Sequence, residues 1–392
     1  MNLDDYNYRY DKSIIASYPL KKRDQSKLLI YNKGEIIDSK FYKITDYLPE
    51  NTMLFFNDTK VIKARIKIKK KTGAKIELLL INKVNDSFSS KYEKKYKNNL
   101  AYKCLIGNSK KWKLNSILFL SSKTFKLRLI KVDYNKVLFS WDQKIIWNDL
   151  IGEIGKMPIP PYLNRNSQKV DNEVYQTIYS KKKGAIASPT AGLHFTKKTF
   201  KEINKKKIKV DYLTLHVGLG TFKTIESKNI YDHKMHVEEV FFTKKNLENI
   251  LEYNSITAVG TTSIRILESI YWFGVQLFKN NNIKEFNIKS FEPYEKHKFL
   301  PTKKESILKV IEYMNKNNIN SIEGKTSIFI FPGYKFMICN QLITNFHLPK
   351  STLILLIASF IGNCWKKVYK FAKKNNYRFF SYGDSSLLFK KD

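Results

Sequence analysis

Most histidines of this 392-residue chain lie in four short segments that are rich in Gly, Thr and Pro. The segments span residues 188–196, 215–222, 233–236 and 344–352, and of the six histidines only His297 lies outside them. Because imidazole is the side chain that changes charge nearest to neutral pH, these histidines are candidate proton carriers. The sequence therefore predicts acid–base chemistry, with His194, His347 and His216 as the catalytic candidates.

One histidine pair raises the alternative of a metal site. His233 and His236 are three residues apart and precede Glu238 and Glu239. The spacing is not that of a His-Glu-x-x-His zinc site, and no third ligand follows at a typical distance along the chain. We therefore expect no metal, and we interpret His236 as a substrate-binding residue.

The chemistry-bearing residues are predicted to lie where strands pass into helices. Backbone N–H groups and the helix dipole at such junctions attract a carboxylate or a phosphate. At the first junction Gly260, Thr261 and Thr262 follow a predicted strand, and Arg265 comes one turn later. The alternative is that a hydroxyl here only caps the helix and that Arg265 is a surface residue.

The second and third junctions carry the histidines. In the second, Pro189 and Gly192 restrict the backbone around Thr190 and His194, ahead of a predicted helix. In the third, Asn345 and His347 precede a helix. A further segment follows His216 with glycines but lacks the third glycine of a dinucleotide fingerprint, so it predicts close backbone approach to a substrate at Gly218, Gly220 and Thr221.

The formal net charge of +36 comes from 71 Lys and Arg against 35 Asp and Glu. Such a charge attracts a polyanion and makes its binding salt-dependent. The alternative is codon drift, because the excess is almost all Lys within a background of Asn, Ile, Tyr and Phe. The arginines are therefore the more informative cations, since the guanidinium fork suits bidentate recognition. They are Arg9, Arg23, Arg65, Arg128, Arg165, Arg265 and Arg378.

Cysteine usage and hydropathy favour a cytoplasmic protein. The three cysteines are far apart and form no Cys-x-x-Cys pair, which fits a reducing compartment. The N-terminus resembles no signal peptide. The longest apolar stretch, residues 353–361, is about half of the roughly 20 residues that span a bilayer. We therefore expect no membrane association.

The hydrophobic pattern predicts two kinds of structure. Short alternating runs at 74–81, 101–106, 116–120, 124–132 and 136–141 favour a small antiparallel β-barrel, with a long hairpin loop at 85–99. From residue 184 onward strands alternate with helices, which favours an α/β layer with largely parallel strands. This layer includes residues 28–31 and 53–56, a strand at 327–331 and a helix after Ser351. We predict a discontinuous α/β/α-type domain, residues 1–64 plus 152–392, with an inserted β-barrel domain at 65–151.

The motifs, in this order, resemble the S-adenosylmethionine:tRNA ribosyltransferase-isomerases of queuosine biosynthesis. The resemblance runs nearly end to end and includes the four histidine segments. It also includes residues 14–19 with 23–24, 56–61 with 64–65, 157–162, 175–177, 259–265 and 377–384.

The resemblance implies an enzyme that transfers and isomerises the ribosyl group of S-adenosylmethionine. The acceptor would be 7-aminomethyl-7-deazaguanine at the wobble position of tRNA, and the products would include epoxyqueuosine-tRNA, adenine and methionine. S-adenosylmethionine would be a co-substrate, with no bound prosthetic group. The family fold is expected to be an α/β domain with an inserted β-barrel.

Residue roles follow from this chemistry as hypotheses. The sulfonium acidifies the 5′ carbon, so a base must remove a proton there while an acid helps adenine leave. We assign these transfers to His194 and His347, with His216 as the substitute. The other expected substrate contacts are Asn57, Asp58, Thr190, Gly218, Gly220, Thr221, His236, Gly260, Thr261, Thr262, Arg265, Asn345 and Asp384.

The partner implied by the resemblance is a tRNA whose anticodon-loop bases can be splayed out and read on their edges. We expect Arg65, Arg165 and Arg265 to contact it, and we expect a monomer. A basic RNA-binding protein without catalysis would explain the charge but not the histidine segments. An enzyme with another nucleotide donor would explain the segments but not the order of the motifs.

Overall fold

The computed structural model describes residues 1–84, 98–218, 220, 224–227 and 229–391. The chain divides into two compact units. The larger consists of Met1–Lys60, Pro160–Arg165 and Glu173–Asp392, and the smaller consists of Val61–Ile159 and Asn166–Asn172. The predicted division into an inserted and a discontinuous domain, with the boundaries given above, stays a prediction.

The strands are numbered in chain order. They are β1 (Lys27–Asn32), β2 (Glu35–Lys40), β3 (Thr52–Asn57), β4 (Thr59–Val61), β5 (Arg65–Lys69), β6 (Lys75–Val84), β7 (Asn98–Gly107), β8 (Ile117–Ser121), β9 (Lys126–Lys131), β10 (Lys136–Trp141), β11 (Lys182–Ala185), β12 (Lys209–Leu215), β13 (Glu238–Thr243), β14 (Ser255–Val259), β15 (Phe286–Ile288), β16 (Ser321–Thr326), β17 (Gln341–Asn345) and β18 (Ser385–Phe389).

The α-helices are numbered in the same way. They are α1 (Trp147–Ile154), α2 (Asp171–Val174), α3 (Lys197–Lys205), α4 (Lys244–Glu252), α5 (Thr261–Lys279), α6 (Lys303–Lys316), α7 (Thr352–Ile361) and α8 (Trp365–Lys374). Short 3-10 helices connect many of these elements, and the one at Thr190–His194 carries two of the candidate site residues.

A ten-stranded mixed sheet forms the centre of the larger unit, in the order β15-β16-β13-β12-β3-β14-β17-β18-β1-β2. Its four middle strands β12, β3, β14 and β17 run parallel to one another. The carboxyl ends of these strands therefore meet at one edge of the sheet. In open α/β sheets this edge is where ligands bind.

Both faces of this sheet are covered. Along β3, Met53 and Phe55 belong to one apolar core, whereas Leu54 and Phe56 belong to a second one. The alternation follows from the two-residue period of a strand. The first core contains residues of α4 to α8 and the second contains Ile203 of α3, so helices lie on both faces. The predicted mixed α/β fold is confirmed.

Helix α5 is almost entirely buried, which explains its apolar sequence. It packs against α6 so closely that a Cβ atom at Gly274 would lie 2.1 Å from the Oγ of Ser306. Burial on all sides removes the polar stripe that a surface helix shows, so the sequence of α5 carries little amphipathic signal.

The smaller unit contains a six-stranded antiparallel sheet in the order β5-β6-β7-β10-β9-β8. It forms a nearly closed barrel, as predicted, and its strands include all five of the alternating runs found in the sequence. The predicted hairpin loop at 85–99 lies for the most part outside the described residues. No described helix has the length and apolar character that crossing a bilayer requires.

One strand prediction was wrong. Residues 327–331 form no strand, although they are apolar and buried. The strands of this region are β16 and β17, which lie on either side of that segment. Phe329 and Phe331 instead pack in a small cluster with Leu3 and Leu355, so their apolar character reflects tertiary packing rather than sheet pairing.

Candidate active site

A cleft of about 610 Å³ opens at the carboxyl ends of the parallel strands. We call it the first cleft. Three chain segments that were singled out in the sequence meet there: the 3-10 turn at Thr190–His194, the start of α5 and the connection from β17 to α7. Its polar wall residues are Ser188, Thr190, Thr261, Thr262, Thr344, Asn345, His347, Ser351 and Ser381, and its aromatic ones are Tyr162, Phe346 and Phe380.

The start of α5 offers unused hydrogen-bonding groups to the first cleft. Gly260 precedes the helix with φ +91°, a conformation that favours glycine, and it has no side chain to cap the helix. The first N–H groups of a helix have no acceptor within the helix. The hydroxyls of Thr262 and Ser188 are also buried, and neither has a hydrogen-bond partner among the described residues. Unpaired buried groups of this kind are costly, so they point to a polar ligand in the cleft.

The connection from β17 to α7 positions Asn345 and His347. Asn345 is buried, and its Oδ1 accepts a hydrogen bond of 3.1 Å from the hydroxyl of Thr190. The Nε2 atom of His347 lies 2.8 Å from the hydroxyl of Thr344. Its backbone N–H donates to the hydroxyl of Tyr369 at 2.9 Å. The side chain of His347 is thus fixed from one side while its ring faces the first cleft.

Loss of solvent around the His347 ring lowers its pKa from the ordinary imidazole value. The ring is therefore neutral at neutral pH. Its Nδ1 atom is engaged by no neighbour in the part of the chain that the structure describes. A neutral imidazole with a free nitrogen at the wall of a cleft can accept a proton from a bound substrate.

His194 lies behind Asn345 rather than in the first cleft. It is 5% exposed, and it lines a second, small and open cleft. Its Nδ1 lies 2.9 Å from the hydroxyl of Ser26, and its Nε2 lies 3.3 Å from the amide nitrogen of Asn345. Because Asn345 accepts from Thr190 through its oxygen, its amide nitrogen donates to the imidazole. Both ring nitrogens of His194 are therefore occupied.

Burial lowers the pKa of His194 to about 3, and the charges of Arg378 and Arg23 contribute to the shift. His194 is neutral at neutral pH for the same reason as His347. With both nitrogens engaged, its ring orients the Asn345 amide. The sequence prediction placed His194 and His347 together, and the structure joins them only through Asn345.

His216 faces a different cavity, of about 770 Å³, on β12, β13 and β16. The Nδ1 atom of His216 lies 2.8 Å from the hydroxyl of Thr59. Its ring lies directly against Gly184, so that a Cβ atom at Gly184 would be only 2.7 Å from the ring. His216 therefore lies apart from the first cleft, and a catalytic role for it stays a prediction. Alternation along the chain explains this, because Val217 lines the first cleft while its neighbour His216 points elsewhere.

Two predicted substrate contacts have their polar atoms occupied by the backbone. Asn57 is fully buried and exchanges hydrogen bonds with Leu215 and with the N–H of Thr59. The carboxylate of Asp384 is 98% withdrawn from solvent and accepts from the N–H groups of Lys27 and Arg378 at 3.0 and 2.7 Å. These two side chains hold backbone segments in place, and a substrate contact by either residue stays a prediction.

Asp58 is mostly buried as well. One carboxylate oxygen accepts a hydrogen bond of 2.6 Å from the hydroxyl of Thr214, which belongs to β12. Its carbonyl oxygen accepts from the N–H groups of Lys181 and Lys182. Asp58 therefore lies outside the walls of the first cleft and connects β3 to neighbouring segments.

Arg265, His236 and Glu238 form a buried charged group. Arg265 pairs with one oxygen of Glu238, and His236 lies 3.0 Å from the other. Burial raises the pKa of Glu238, but the charges of Arg265 and His236 outweigh it and lower that pKa to about 2. Arg265 is only 4% exposed and has Glu238 as its counterion, while its Nη2 has no hydrogen-bond partner among the described residues. An RNA contact by Arg265 stays a prediction.

The ring of His236 also leaves no room for a side chain at Gly220, in the glycine segment after β12. A Cβ atom at Gly220 would lie 2.0 Å from its ring, and the N–H of Gly218 donates to Glu238 at 3.2 Å. The backbone thus comes close to Glu238 at Gly218 and to His236 at Gly220. A close approach of these glycines to a substrate stays a prediction. Thr221 lies outside the described residues.

The other two arginines expected at RNA are partly exposed. Arg65, in the smaller unit, pairs with Glu77 and lies 3.5 Å from the carbonyl of Ile159. Arg165, in the larger unit, stacks 4.1 Å above the ring of Tyr18 and donates to the carbonyl of Ser17. An RNA contact by either residue stays a prediction.

The structure draws attention to residues that the sequence did not single out. Arg23 and Arg378 line the second cleft beside His194, and Ser26 holds its ring. Ser188 contributes an unpaired hydroxyl to the first cleft. The available signal was the scarcity of arginine in a chain whose positive charge is almost all lysine. Among the described residues no group of three His, Cys, Asp or Glu side chains is arranged to hold a metal ion.

Comparison with known proteins gives consistent matches along the whole chain. The sequence profile of a family described as queuosine biosynthesis protein matches residues 3–388. A relative from Finegoldia magna is 37% identical over 99% of this chain and 98% of its own length, and one from a Sulfurihydrogenibium species is 36% identical over 99% and 100%. Both are named S-adenosylmethionine:tRNA ribosyltransferase-isomerase.

A solved structure is also similar in sequence. The crystal structure of the S-adenosylmethionine tRNA ribosyltransferase from Thermotoga maritima is 25% identical to this chain. The match covers 98% of this chain and 99% of that one, with a TM-score of 0.47.

Proposed function

This chain belongs to the family of queuosine biosynthesis proteins, and on that premise we propose that it transfers and isomerises the ribosyl group of S-adenosylmethionine. The acceptor is 7-aminomethyl-7-deazaguanine at the wobble position of tRNA. The products are epoxyqueuosine-tRNA, adenine and methionine. The proposal makes the first cleft the site of the reaction.

The observation that carries this proposal is the composition of the first cleft. It brings His347, Asn345 and the open start of α5 to the carboxyl ends of parallel strands. A helix start with free N–H groups suits the carboxylate of the methionine part of the donor. Tyr162 and Phe380 offer aromatic surface to a purine on another wall.

His347 is the proton carrier in this proposal. Its free Nδ1 takes the proton that the sulfonium acidifies on the 5′ carbon, which converts the ring to imidazolium. Because loss of solvent lowers the pKa of this ring, the imidazolium is a strong acid and readily gives the proton to the departing adenine. One group thereby serves as base and then as acid.

His194 is a positioning residue in the same proposal. Its ring holds the amide of Asn345, and Asn345 in turn accepts from the hydroxyl of Thr190 at the cleft wall. This chain of hydrogen bonds fixes the orientation of the Asn345 amide and the Thr190 hydroxyl, the two polar groups that would face the donor. Precise placement of such groups contributes to rate because it removes the cost of orienting them during the reaction.

Product analysis tests the proposed function. The chain would be incubated with S-adenosylmethionine and with tRNA that carries the deazaguanine precursor. We expect adenine, methionine and modified tRNA in equal amounts, and none of them when the wobble base is guanine. Release of S-adenosylhomocysteine together with a methylated tRNA would overturn the proposal, because it would mean methyl rather than ribosyl transfer.

A further inference from the structure

We infer that the second cleft binds a phosphate group of the tRNA backbone through Arg23 and Arg378. The inference rests on the proposed function, because it takes tRNA as the substrate and the first cleft as the reaction site. It assigns the RNA contact to two arginines other than the three that the sequence favoured. The evidence is the arrangement of both guanidinium groups around one small, partly exposed pocket.

Arg23 is a cation without a carboxylate partner in the described part of the chain. It donates to the carbonyl oxygens of Gln176 and Glu173 at 3.0 and 3.4 Å. Carbonyl acceptors fix the guanidinium but leave its charge uncompensated. A guanidinium has five N–H donors, so Arg23 keeps donors for a ligand.

Arg378 enters the same cleft from the segment before β18. It lies 3.5 Å from Asp384, whose two oxygens already accept from backbone N–H groups, and 3.5 Å from the carbonyl of Tyr18. Both contacts are long for charged hydrogen bonds. The charge of Arg378 is therefore only partly balanced.

No acidic residue is among the described residues that line the second cleft. Apart from the two arginines they consist of Pro19, Leu20, Ser26, Leu193, His194, Ser381, Tyr382 and Gly383. Both guanidinium groups lower the pKa of His194 at the floor, which places two positive charges near one point. A neutral floor with two cations at a partly exposed mouth attracts an anion.

The second cleft is next to the first. Ser381 lines both, and the hydrogen bond between His194 and Asn345 spans the wall between them. An RNA nucleotide whose base enters the first cleft carries a phosphate on either side. One of these phosphates can then reach the arginines while the base lies at the reaction site.

Two features favour a phosphate over the carboxylate of the donor. The start of α5 already offers uncharged donors to a carboxylate within the first cleft. Two guanidinium forks suit a phosphodiester, whose two non-bridging oxygens share one negative charge and both accept hydrogen bonds, and which must be held as part of a long polyanion. Phosphate contacts of this kind position a nucleic acid without reading its sequence.

The test combines substitutions in the protein with a change in the RNA. Arg23→Gln and Arg378→Gln would be compared with Lys22→Gln, which removes the same charge from the exposed neighbour of Arg23. Binding would be measured with a precursor-bearing anticodon stem-loop, and with the same RNA carrying a neutral methylphosphonate on either side of the wobble nucleotide. Affinity for S-adenosylmethionine would be measured in parallel.

We expect each arginine substitution to weaken RNA binding about tenfold and to reduce the log–log salt slope by about one. Lys22→Gln should change the affinity less than about twofold. One methylphosphonate should weaken binding to the wild-type chain, yet have little further effect on the Arg23→Gln, Arg378→Gln double variant. Such non-additivity identifies a direct contact.

Three outcomes would overturn the inference. In the first, the arginine substitutions and the methylphosphonate weaken RNA binding additively. In the second, the arginine variants bind RNA as tightly as Lys22→Gln does. In the third, the arginine variants lose affinity for S-adenosylmethionine and keep their affinity for RNA. Arg23→Lys and Arg378→Lys, which retain the charge, serve if the Gln variants do not fold, and we expect them to bind RNA more weakly than wild type. Failure of the proposed function is distinguishable, because the wild-type chain itself would then release no adenine.

Discussion

The histidines His347 and His194 have different surroundings, and we propose a different task for each. His347 faces the first cleft with one free nitrogen, whereas both nitrogens of His194 are engaged by Ser26 and Asn345. In our proposal His347 therefore carries a proton, whereas His194 holds a neighbouring side chain in a fixed orientation. The difference lies in the neighbours of each ring nitrogen.

His347→Gln should reduce the turnover number by about 10²- to 10⁴-fold, the usual contribution of a general acid or base, with little change in substrate affinity. Gln keeps a polar group of similar reach but cannot carry a proton at neutral pH. Adenine release under saturating substrates would measure the effect. His297→Gln is the matched control, since His297 lines none of the described clefts. A loss of less than tenfold would exclude His347 as the proton carrier.

His194 should make the folded state sensitive to mild acid. Its pKa is about 3 when folded and about 6.5 when unfolded, so the unfolded chain binds one more proton between these values. Stability is thus fully present above pH 6.5 and is lost as the pH falls. From pH 7.5 to 5.5 the loss from His194 alone is about 1.4 kcal/mol.

Urea unfolding at both pH values would measure this loss in the wild type and in His194→Gln. Gln cannot titrate, so the variant should be less stable at pH 7.5 but should lose about 1.4 kcal/mol less on acidification. An equal pH dependence in both proteins would show that His194 is not buried in its neutral form.

The start of α5 is the element on which substrate binding most depends in our proposal. Helices α3, α4, α6 and α7 begin with a Thr or Ser side chain that caps them, whereas α5 begins after Gly260 with no such cap. The uncapped start coincides with the unpaired hydroxyl of Thr262. A ligand that accepts hydrogen bonds would satisfy both groups.

Thr262→Val should separate function from stability at this element. The hydroxyl has no partner in the described part of the protein, so its removal should leave the free energy of unfolding unchanged or raise it by up to about 1 kcal/mol. The affinity for S-adenosylmethionine should fall by about tenfold, the loss of one charge-assisted hydrogen bond. Calorimetric titration and thermal unfolding would measure the two quantities.

Thr257→Val is the matched control, because it makes the same chemical change on the preceding strand β14. Its hydroxyl bonds to Gln341 and Thr52, so this variant should lose stability and keep its affinity for the donor. If Thr262→Val destabilised the protein and left the affinity unchanged, the hydroxyl would have a structural partner instead of a ligand.

For the whole molecule, the net charge of +36 favours association with RNA, while only a few cations are built into clefts. Long-range attraction and specific contact are separate effects, since the first is spread over the surface and the second needs fixed geometry. In our proposal the lysines bring the polyanion close, and the arginine contact fixes its position.

Raising the salt concentration from 50 to 200 mM should weaken tRNA binding at least tenfold, because each neutralised phosphate releases counterions. The affinity for S-adenosylmethionine, a small molecule held inside a cleft, should change less than about twofold. Parallel titrations over this range would measure both. Salt-independent tRNA binding would mean that the excess of lysine has no part in recognising RNA.

Much of the larger unit could be predicted from local pattern. The strand at 209–215, the helix at 197–205 and the strand at 255–259 follow from short-range periodicity and capping, which depend only on neighbouring residues. The segment at 327–331 could not be predicted in this way. Phe329 and Phe331 are buried in a cluster with Leu3 and Leu355, whereas Ile328 and Ile330 belong to the main core, and these partners come from other parts of the chain.

The sequence by itself determined the mixed α/β class, the antiparallel sheet of short strands, the family resemblance and several of the residues that line the first cleft. Tertiary structure alone decided which of the predicted residues line a cleft and which have their polar groups paired within the protein. Asn57, Asp384 and Arg265 are directed to backbone groups or to Glu238, while Arg23 has no carboxylate partner among the described residues and Arg378 has only a long contact with Asp384. The physical reason is that a side chain's availability depends on which distant partners fill its hydrogen bonds, and no local pattern records those partners.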